Sequence, residues 1–401
     1  MLGPDGSGGT VPMDAYDYGL PDDAVAQHPA EPRSASRLLV APGLLGPGVV
    51  HSSMESVPSL IRPGDVLVVN DTKVLTGRLM LNKATGGSVE VLLLEPERRG
   101  DGWWQALVRP GRRARSGTEL FSNQGPDGDR DAGASRQPVA IVGEPVSGLD
   151  DARRSVRILD DGLIDRCGTM PLPPYITEAL ADQERYQTVY AGFRTMEERS
   201  SAAPTAGLHF TKELLDGCRR SGATVVSVDL AIGLDTFRPV TADRPEDHEI
   251  HTERYRVPDE TVAACRDAER VIAVGTTAVR ALESLATTGE QEGRTSLFIR
   301  GDFPFRMVDV LLTNFHLPRS SLLLLVESFA GPSWRELYAE ALADGYRFLS
   351  FGDAMVVARS RSRAPSPFRR SESGDERERA HEGEVAPAAG RVPPKSPKGV
   401  R

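Results

Sequence analysis

The apolar pattern of the chain changes character near residue 158, and this change constrains the fold more than any other feature. Between Val66 and about Val156 no helical period is present. Arg62-Pro-Gly-Asp-Val-Leu-Val-Val-Asn70 reads as a turn followed by an apolar strand, and Val89–Leu94 and Trp103–Val108 read as further strands. Gly and Pro punctuate the intervals, which predicts a small antiparallel barrel. The polar, Gly-rich run Gln124–Gln137 is expected to be a loop between strands.

Beyond that point strands and helices alternate. Lys212–Ser221 reads as a helix capped by Thr211, Thr224–Leu230 as a strand, Thr261–Glu269 as a helix and Val271–Val274 as a buried strand. Helices are expected over Thr277–Ala286 and Trp334–Ala343, and a strand over Ala354–Val357. Such alternation predicts a layered mixed-sheet α/β domain. Met13–Val57 is assigned to the same domain, which makes the β-barrel an insertion. The expected division is a flexible leader over 1–12, an α/β domain over 13–63 and 158–359, the inserted barrel over 64–157, and a disordered tail over 360–401.

Composition supports the tail. From Arg359 to Arg401 there are 11 Lys and Arg against 6 Asp and Glu, a net of +5 within a chain of net charge −9. Pro, Ser, Arg and Glu dominate there, too few apolar groups to offset the entropy of ordering. The whole surface is acidic, so an RNA partner has to meet a local basic patch. In the barrel, Arg98, Arg99, Arg109, Arg112, Arg113 and Arg115 lie beside Trp103 and Trp104, a pattern that suits phosphates and bases or a mixed solvated surface equally. No apolar run approaches the ~18 residues of a membrane span. Cys167, Cys218 and Cys265 have no metal-ligand spacing and fit a reducing, cytoplasmic setting.

Four segments carry candidate chemistry. Ser201-Ala-Ala-Pro-Thr-Ala-Gly-Leu-His-Phe-Thr211 is rich in small residues, so a ligand can approach the backbone; Thr205, Gly207 and His209 are its candidates, against a tight turn with a packed histidine. His248-Glu-Ile-His-Thr-Glu253 offers His251 and Glu253 for acid–base work, against a surface charge cluster; a metal site lacks a third ligand run. Val271-Ile-Ala-Val-Gly-Thr-Thr-Ala-Val-Arg280 places Gly275, Thr276 and Thr277 at a helix start able to hold a carboxylate. Leu311-Leu-Thr-Asn-Phe-His-Leu-Pro-Arg-Ser320 places Asn314 and His316 at an X-Pro bend, a pocket wall or a capped helix start.

Together these stretches resemble one family, the S-adenosylmethionine:tRNA ribosyltransferase-isomerases of the queuosine pathway. The matching pieces include Ala35-Ser-Arg-Leu-Leu39, Pro63-Gly-Asp-Val-Leu-Val-Val-Asn-Asp-Thr72, Met170-Pro-Leu-Pro-Pro-Tyr-Ile176 and Arg185-Tyr-Gln-Thr-Val-Tyr190. They continue through Ala202–Thr211, Val274-Gly-Thr-Thr, Leu311–Ser320 and Gly352-Asp-Ala-Met355, so the resemblance spans about residues 14 to 358.

The resemblance implies a transferase that moves the ribosyl carbons of S-adenosylmethionine onto 7-aminomethyl-7-deazaguanine at the tRNA wobble position. Epoxyqueuosine-tRNA forms, and adenine and methionine leave. The partners implied are that tRNA and the donor as co-substrate, with no metal or redox cofactor, no membrane, and a monomer. His209, His251, Glu253 and His316 are the catalytic candidates, with His209 favoured as the base. Thr205, Gly207, Gly275, Thr276, Thr277 and Asn314 are the candidates for donor binding.

The sequence departs from the family where Leu230-Ala-Ile-Gly-Leu-Asp-Thr-Phe237 stands for a typical Leu-His-Val-Gly-Leu-Gly-Thr-Phe, so that Ala231 replaces an imidazole and Asp235 a glycine. Ser34 stands where Asp is usual, and Thr76-Gly77 where Pro-Ala is usual. Two other readings stay open on these residues: a divergent homologue with another acceptor, and a non-catalytic tRNA-binding protein.

Overall fold

The computed structural model describes residues 11–122, 137–146, 152–192, 195, 198–233 and 239–369. The leader to residue 10, most of the Gln124–Gln137 run, Asp235 and the tail from Arg370 lie outside the described residues.

The chain opens with β1 (Arg37–Val40), β2 (Val50–Ser53), α1 (Val57–Leu60) and β3 (Asp65–Asn70). Short strands come next: β4 (Arg78–Lys83), β5 (Ser88–Pro96), β6 (Trp103–Arg109), β7 (Glu119–Phe121), β8 (Ala140–Pro145) and β9 (Arg153–Ile158), then α2 (Leu163–Cys167) and β10 (Gly168–Thr169). Alternation then begins with α3 (Lys212–Arg220), β11 (Thr224–Leu230), β12 (Glu253–Arg256), α4 (Asp259–Asp267), β13 (Arg270–Val274) and α5 (Thr276–Thr288). It ends with β14 (Glu292–Thr295), β15 (Val310–Asn314), α6 (Ser321–Ala330), α7 (Trp334–Ala343) and β16 (Ala354–Ala358).

Two sheets result. The larger has the order β14-β12-β11-β3-β13-β15-β16-β1-β2, and β11, β3, β13 and β15 run parallel within it. One face packs against α1 and α3 through Val57, Leu214, Leu215 and Cys218. The other packs against α4 to α7, with Leu282, Leu324, Trp334 and Tyr338 in one continuous core. The second sheet closes on itself: β4 pairs with both β5 and β7, so β4, β5, β6, β9, β8 and β7 form an antiparallel barrel. Leu79, Leu81, Val91, Leu93, Val108 and Val156 fill it.

The barrel interrupts the α/β domain, but the apolar strand at Val66 is not part of it. β3 lies at the centre of the large sheet, between β11 and β13. All of its residues are buried, which is the character of a parallel strand covered on both faces. The first barrel strand, β4, instead alternates buried and exposed positions around Met80. The barrel's pairing also continues past residue 157, since β10 joins β4.

The tail differs from expectation as well. The chain is packed through Arg369, beyond the expected boundary at 360. Arg359, Arg363 and Arg369 all reach Asp309, and Phe368 lies against the main core. The charge that suggested solvation is here gathered around one half-sequestered carboxylate.

Local signals behave as the sequence predicts at two helix starts. The Thr211 hydroxyl accepts from the Leu214 N–H at 3.1 Å, and the Ser320 hydroxyl accepts from the Leu323 N–H at 3.2 Å. Among the described residues no helix is long and apolar enough to cross a membrane.

Candidate active site

The carboxyl ends of parallel strands in an open α/β sheet form a crevice, because the loops leaving them diverge. Here β11 ends at Leu230, just before Ala231, β13 at Val274, just before Gly275, and β15 at Asn314, and the barrel covers one side. A cavity of about 460 Å³ lies at this edge. Leu94, Gln105, Leu107 and Arg153 of the barrel form one wall, and Ala231, Gly233, His251 and Glu253 of the sheet form the other.

Three smaller cavities of about 30 Å³ each continue from it. The first shares His251 and Glu253 with the large cavity and adds Thr276, Thr277 and Arg280. The next contains Thr205, Gly275, Thr277, Asn314 and His316, and the last keeps Thr205, Asn314 and His316 beside Tyr175. Segments far apart in sequence therefore meet along a row of neighbouring cavities that share lining residues, a groove in outline.

The junction is an ion pair inside the protein. Glu253 accepts from Arg280 Nη1 at 2.5 Å, from the Gly233 N–H at 3.0 Å and from His251 Nε2 at 3.1 Å. Arg280 also donates to the carbonyls of His251 and Thr295. Burial pushes the Glu253 carboxyl up, but Arg280, His251 and the Gly233 N–H outweigh it and hold it below its ordinary value. An ionised Glu253 takes the proton of His251 Nε2 as a hydrogen bond, which leaves Nδ1 as the basic nitrogen. The His251 side chain stays 23% exposed, so its ring is within reach of a ligand.

Helix α5 starts in the same groove. Gly275 has φ 87°, a conformation that a residue with Cβ adopts only under strain, and no side chain caps the helix there. The hydroxyl of Thr277 is buried and has no hydrogen-bond partner among the described residues. Free helix amides and this hydroxyl suit a carboxylate. About two turns into α5, Glu283, fully buried, accepts the N–H groups of Arg306, Met307 and Val308, and burial pushes its carboxyl up to about 7.

The histidines are not equivalent. His316 lines two of the small cavities; burial pushes its imidazole down to about 3, and its Nε2 lies 3.0 Å from the Thr313 hydroxyl. His209 lines none of these cavities. It is 3% exposed, and burial pushes it down to about 4. Its Nε2 accepts from Asn314 Nδ2 at 3.1 Å, so its Nδ1–H donates to the Ser36 hydroxyl at 2.9 Å. The choice of His209 as the base therefore meets a geometric obstacle, since both ring nitrogens are committed. Gly207 also lies off the groove, packed so closely that a Cβ would run into the Tyr190 hydroxyl.

Sequence reasoning missed Arg280, Arg199, Arg254 and Arg294. Arg280 carried a readable signal, because a lone arginine within the apolar run of α5 requires a buried acid. The other three had none. Ala231, the departure from the family strand, lines the large cavity alongside His251.

The chain is similar to known proteins over most of its length. Residues 13–357 match the family model described as queuosine biosynthesis protein. An S-adenosylmethionine:tRNA ribosyltransferase-isomerase of Rubrobacter xylanophilus is 48% identical over 346 residues, 86% of this chain and 97% of that protein. The protein of the same name from Thermotoga maritima is 45% identical over 357 residues, 85% of this chain and 98% of its own. That from Thermus thermophilus is 45% identical over 357 residues, covering 86% and 99%. With the match running through both the barrel and the sheet, the chain belongs to the queuosine biosynthesis family of S-adenosylmethionine:tRNA ribosyltransferase-isomerases.

Proposed function

We propose that the chain transfers and isomerises the ribosyl group of S-adenosylmethionine onto 7-aminomethyl-7-deazaguanine at the tRNA wobble position. Epoxyqueuosine-tRNA is the product, and adenine and methionine are released. Its partners are this tRNA and the donor, and it acts as a cytoplasmic monomer. The observation that carries the reading is the His251–Glu253 pair, shared between the large cavity and the groove to α5, in a chain that matches the family over residues 13–357.

The geometry supports the following roles. A sulfonium acidifies the hydrogens on its neighbouring 5′ carbon, so one well-placed base starts the reaction. His251 Nδ1 is that base, and Glu253 orients the ring and steadies the imidazolium that forms. Arg280 keeps Glu253 ionised for this task. The donor's carboxylate lies against Gly275, Thr276 and Thr277 at the start of α5, and Thr205, Asn314 and His316 line the groove beyond it. His209 acts by holding the Asn314 amide in position. In this chain His251 works without an imidazole at position 231.

Mass analysis of wobble nucleosides tests the proposal. Acceptor tRNA incubated with protein and donor should gain the epoxycyclopentanediol group while adenine accumulates in equal amount. Unchanged nucleosides and no adenine would overturn it.

A further inference from the structure

The large cavity is lined by a cation that finds no acceptor among the described residues. Arg199 lines it, and its Nε is buried without a hydrogen-bond partner. No hydrogen bond or ion pair to its guanidinium occurs among the described residues. Its neighbours differ. Arg254 donates to Asp229 Oδ2 at 3.1 Å and to the Glu198 carbonyl at 2.7 Å, and Arg294 donates to Glu95 Oε2 at 2.9 Å. A half-buried guanidinium without acceptors is costly, and the cost is removed when a ligand supplies an anion.

We propose that Arg199 binds a backbone phosphate of the RNA acceptor, beside the nucleotide that enters the large cavity. The inference rests on the function proposed above. Three observations favour a phosphate over the donor's carboxylate. First, the donor carries a sulfonium and an ammonium against one carboxylate, so it is a net cation beside Arg199, which among the described residues has no acid of its own. Each phosphodiester carries a fixed negative charge, and a guanidinium matches its oxygens in pairs.

Second, the cavity of about 460 Å³ has room for one nucleotide, with Leu94, Leu107 and Ile232 as apolar surfaces for the base. The neighbouring cavities of about 30 Å³ do not. Third, Arg199 is tied to the reacting end of the sheet. The next residue, Ser200, accepts from the Ile232 N–H at 2.8 Å and donates to the Ala202 carbonyl at 2.7 Å. A phosphate held by Arg199 thus fixes the RNA against the strand end that carries Ala231.

The test uses the full chain and a fluorescein-labelled anticodon stem-loop RNA with 7-aminomethyl-7-deazaguanosine at the wobble position. RNA affinity is measured by anisotropy over a series of KCl concentrations, and donor affinity by equilibrium dialysis. Arg199→Gln should weaken RNA binding roughly tenfold and lower the slope of log affinity against log salt by about one. Arg199→Lys should restore the slope, and neither variant should shift donor affinity more than about twofold. A stem-loop with a methylphosphonate at a linkage flanking the wobble nucleoside should lose a similar factor on the parent protein, which needs no variant to fold.

Arg199→Gln that weakens donor binding and leaves the RNA slope intact would overturn the proposal and assign the guanidinium to the donor's carboxylate. So would a variant that changes neither, or methylphosphonates without effect at every flanking linkage. Failure of the parent protein to bind the RNA at all would instead overturn the function reading, and is seen before any variant is made.

Discussion

Arg280 of helix α5 and Glu253 of strand β12 meet at 2.5 Å inside the protein, with 8% and 4% of their surfaces exposed. A cation on one element thereby sets the ionisation of an acid on another, and that acid orients His251. Replacing Arg280 by Met leaves a buried carboxylate without its partner, a loss of about 3–5 kcal/mol in denaturant unfolding. Adding Glu253→Gln to Arg280→Met should recover most of it. A cost below about 1 kcal/mol would mean that water reaches the pair.

The same pair sets a pH dependence. The Glu253 carboxyl is held lower in the folded protein than in the unfolded chain. Its contribution is then fully present above an unfolded value near 4.3 and is lost as pH falls through the folded value. Unfolding free energy of the parent should drop on acidification below about pH 4, and Glu253→Gln should flatten that part of the curve. Identical curves for the two proteins would show that the pair is not formed.

His251 and His209 should separate by assay. His251→Ala should lower turnover roughly a hundredfold or more, the scale of losing a general base, with donor affinity little changed. His209→Ala removes one hydrogen-bond partner from the Ser36 hydroxyl and one from the Asn314 amide, which retain the Arg33 and Leu349 carbonyls, and costs about 1–3 kcal/mol in stability. Its turnover at a temperature where it is folded should stay within a few-fold of the parent. A hundredfold loss in His209→Ala without loss of stability would reverse the two assignments.

Packing at Gly207 gives a further test. A Cβ there runs into the Tyr190 hydroxyl and comes within 2.9 Å of Thr188 Cγ2, so Gly207→Ala should cost about 1–3 kcal/mol as overpacking. The Tyr190 hydroxyl is buried and has no hydrogen-bond partner among the described residues. Tyr190→Phe should therefore be close to neutral alone and should recover part of the Gly207→Ala loss. Simple additivity of the two changes would exclude the contact.

Two truncations probe the packed end of the chain. Ending the chain after Arg369 should leave the melting temperature and the rate with saturating tRNA unchanged. Ending it after Ser360 removes two of the arginines on Asp309 and the Phe368 contact, and should cost roughly 1–3 kcal/mol. Equal stability of the two truncations would show that residues 361–369 add nothing.

The sequence by itself determined what depends on near neighbours. Periodicity separated a barrel from an α/β domain, Thr211 and Ser320 marked helix starts, and loops of small and polar residues marked Thr205, Gly275 and Asn314 as parts of a groove. Each of these signals spans only a few residues, so the chain carries it before it folds. Tertiary structure alone decided which strands are neighbours and which side chains are sealed. Val66 lies in the large sheet because it pairs with Thr224 and Val271, far along the chain, and only that pairing buries both its faces. His209 became a fixed support because Ser36 and Asn314 close on it from opposite sides. Among the described residues Arg199 stands without an acid while Arg254 and Arg294 find theirs, a difference set by the meeting of barrel and sheet, since ionic partnership is a matter of distance in space.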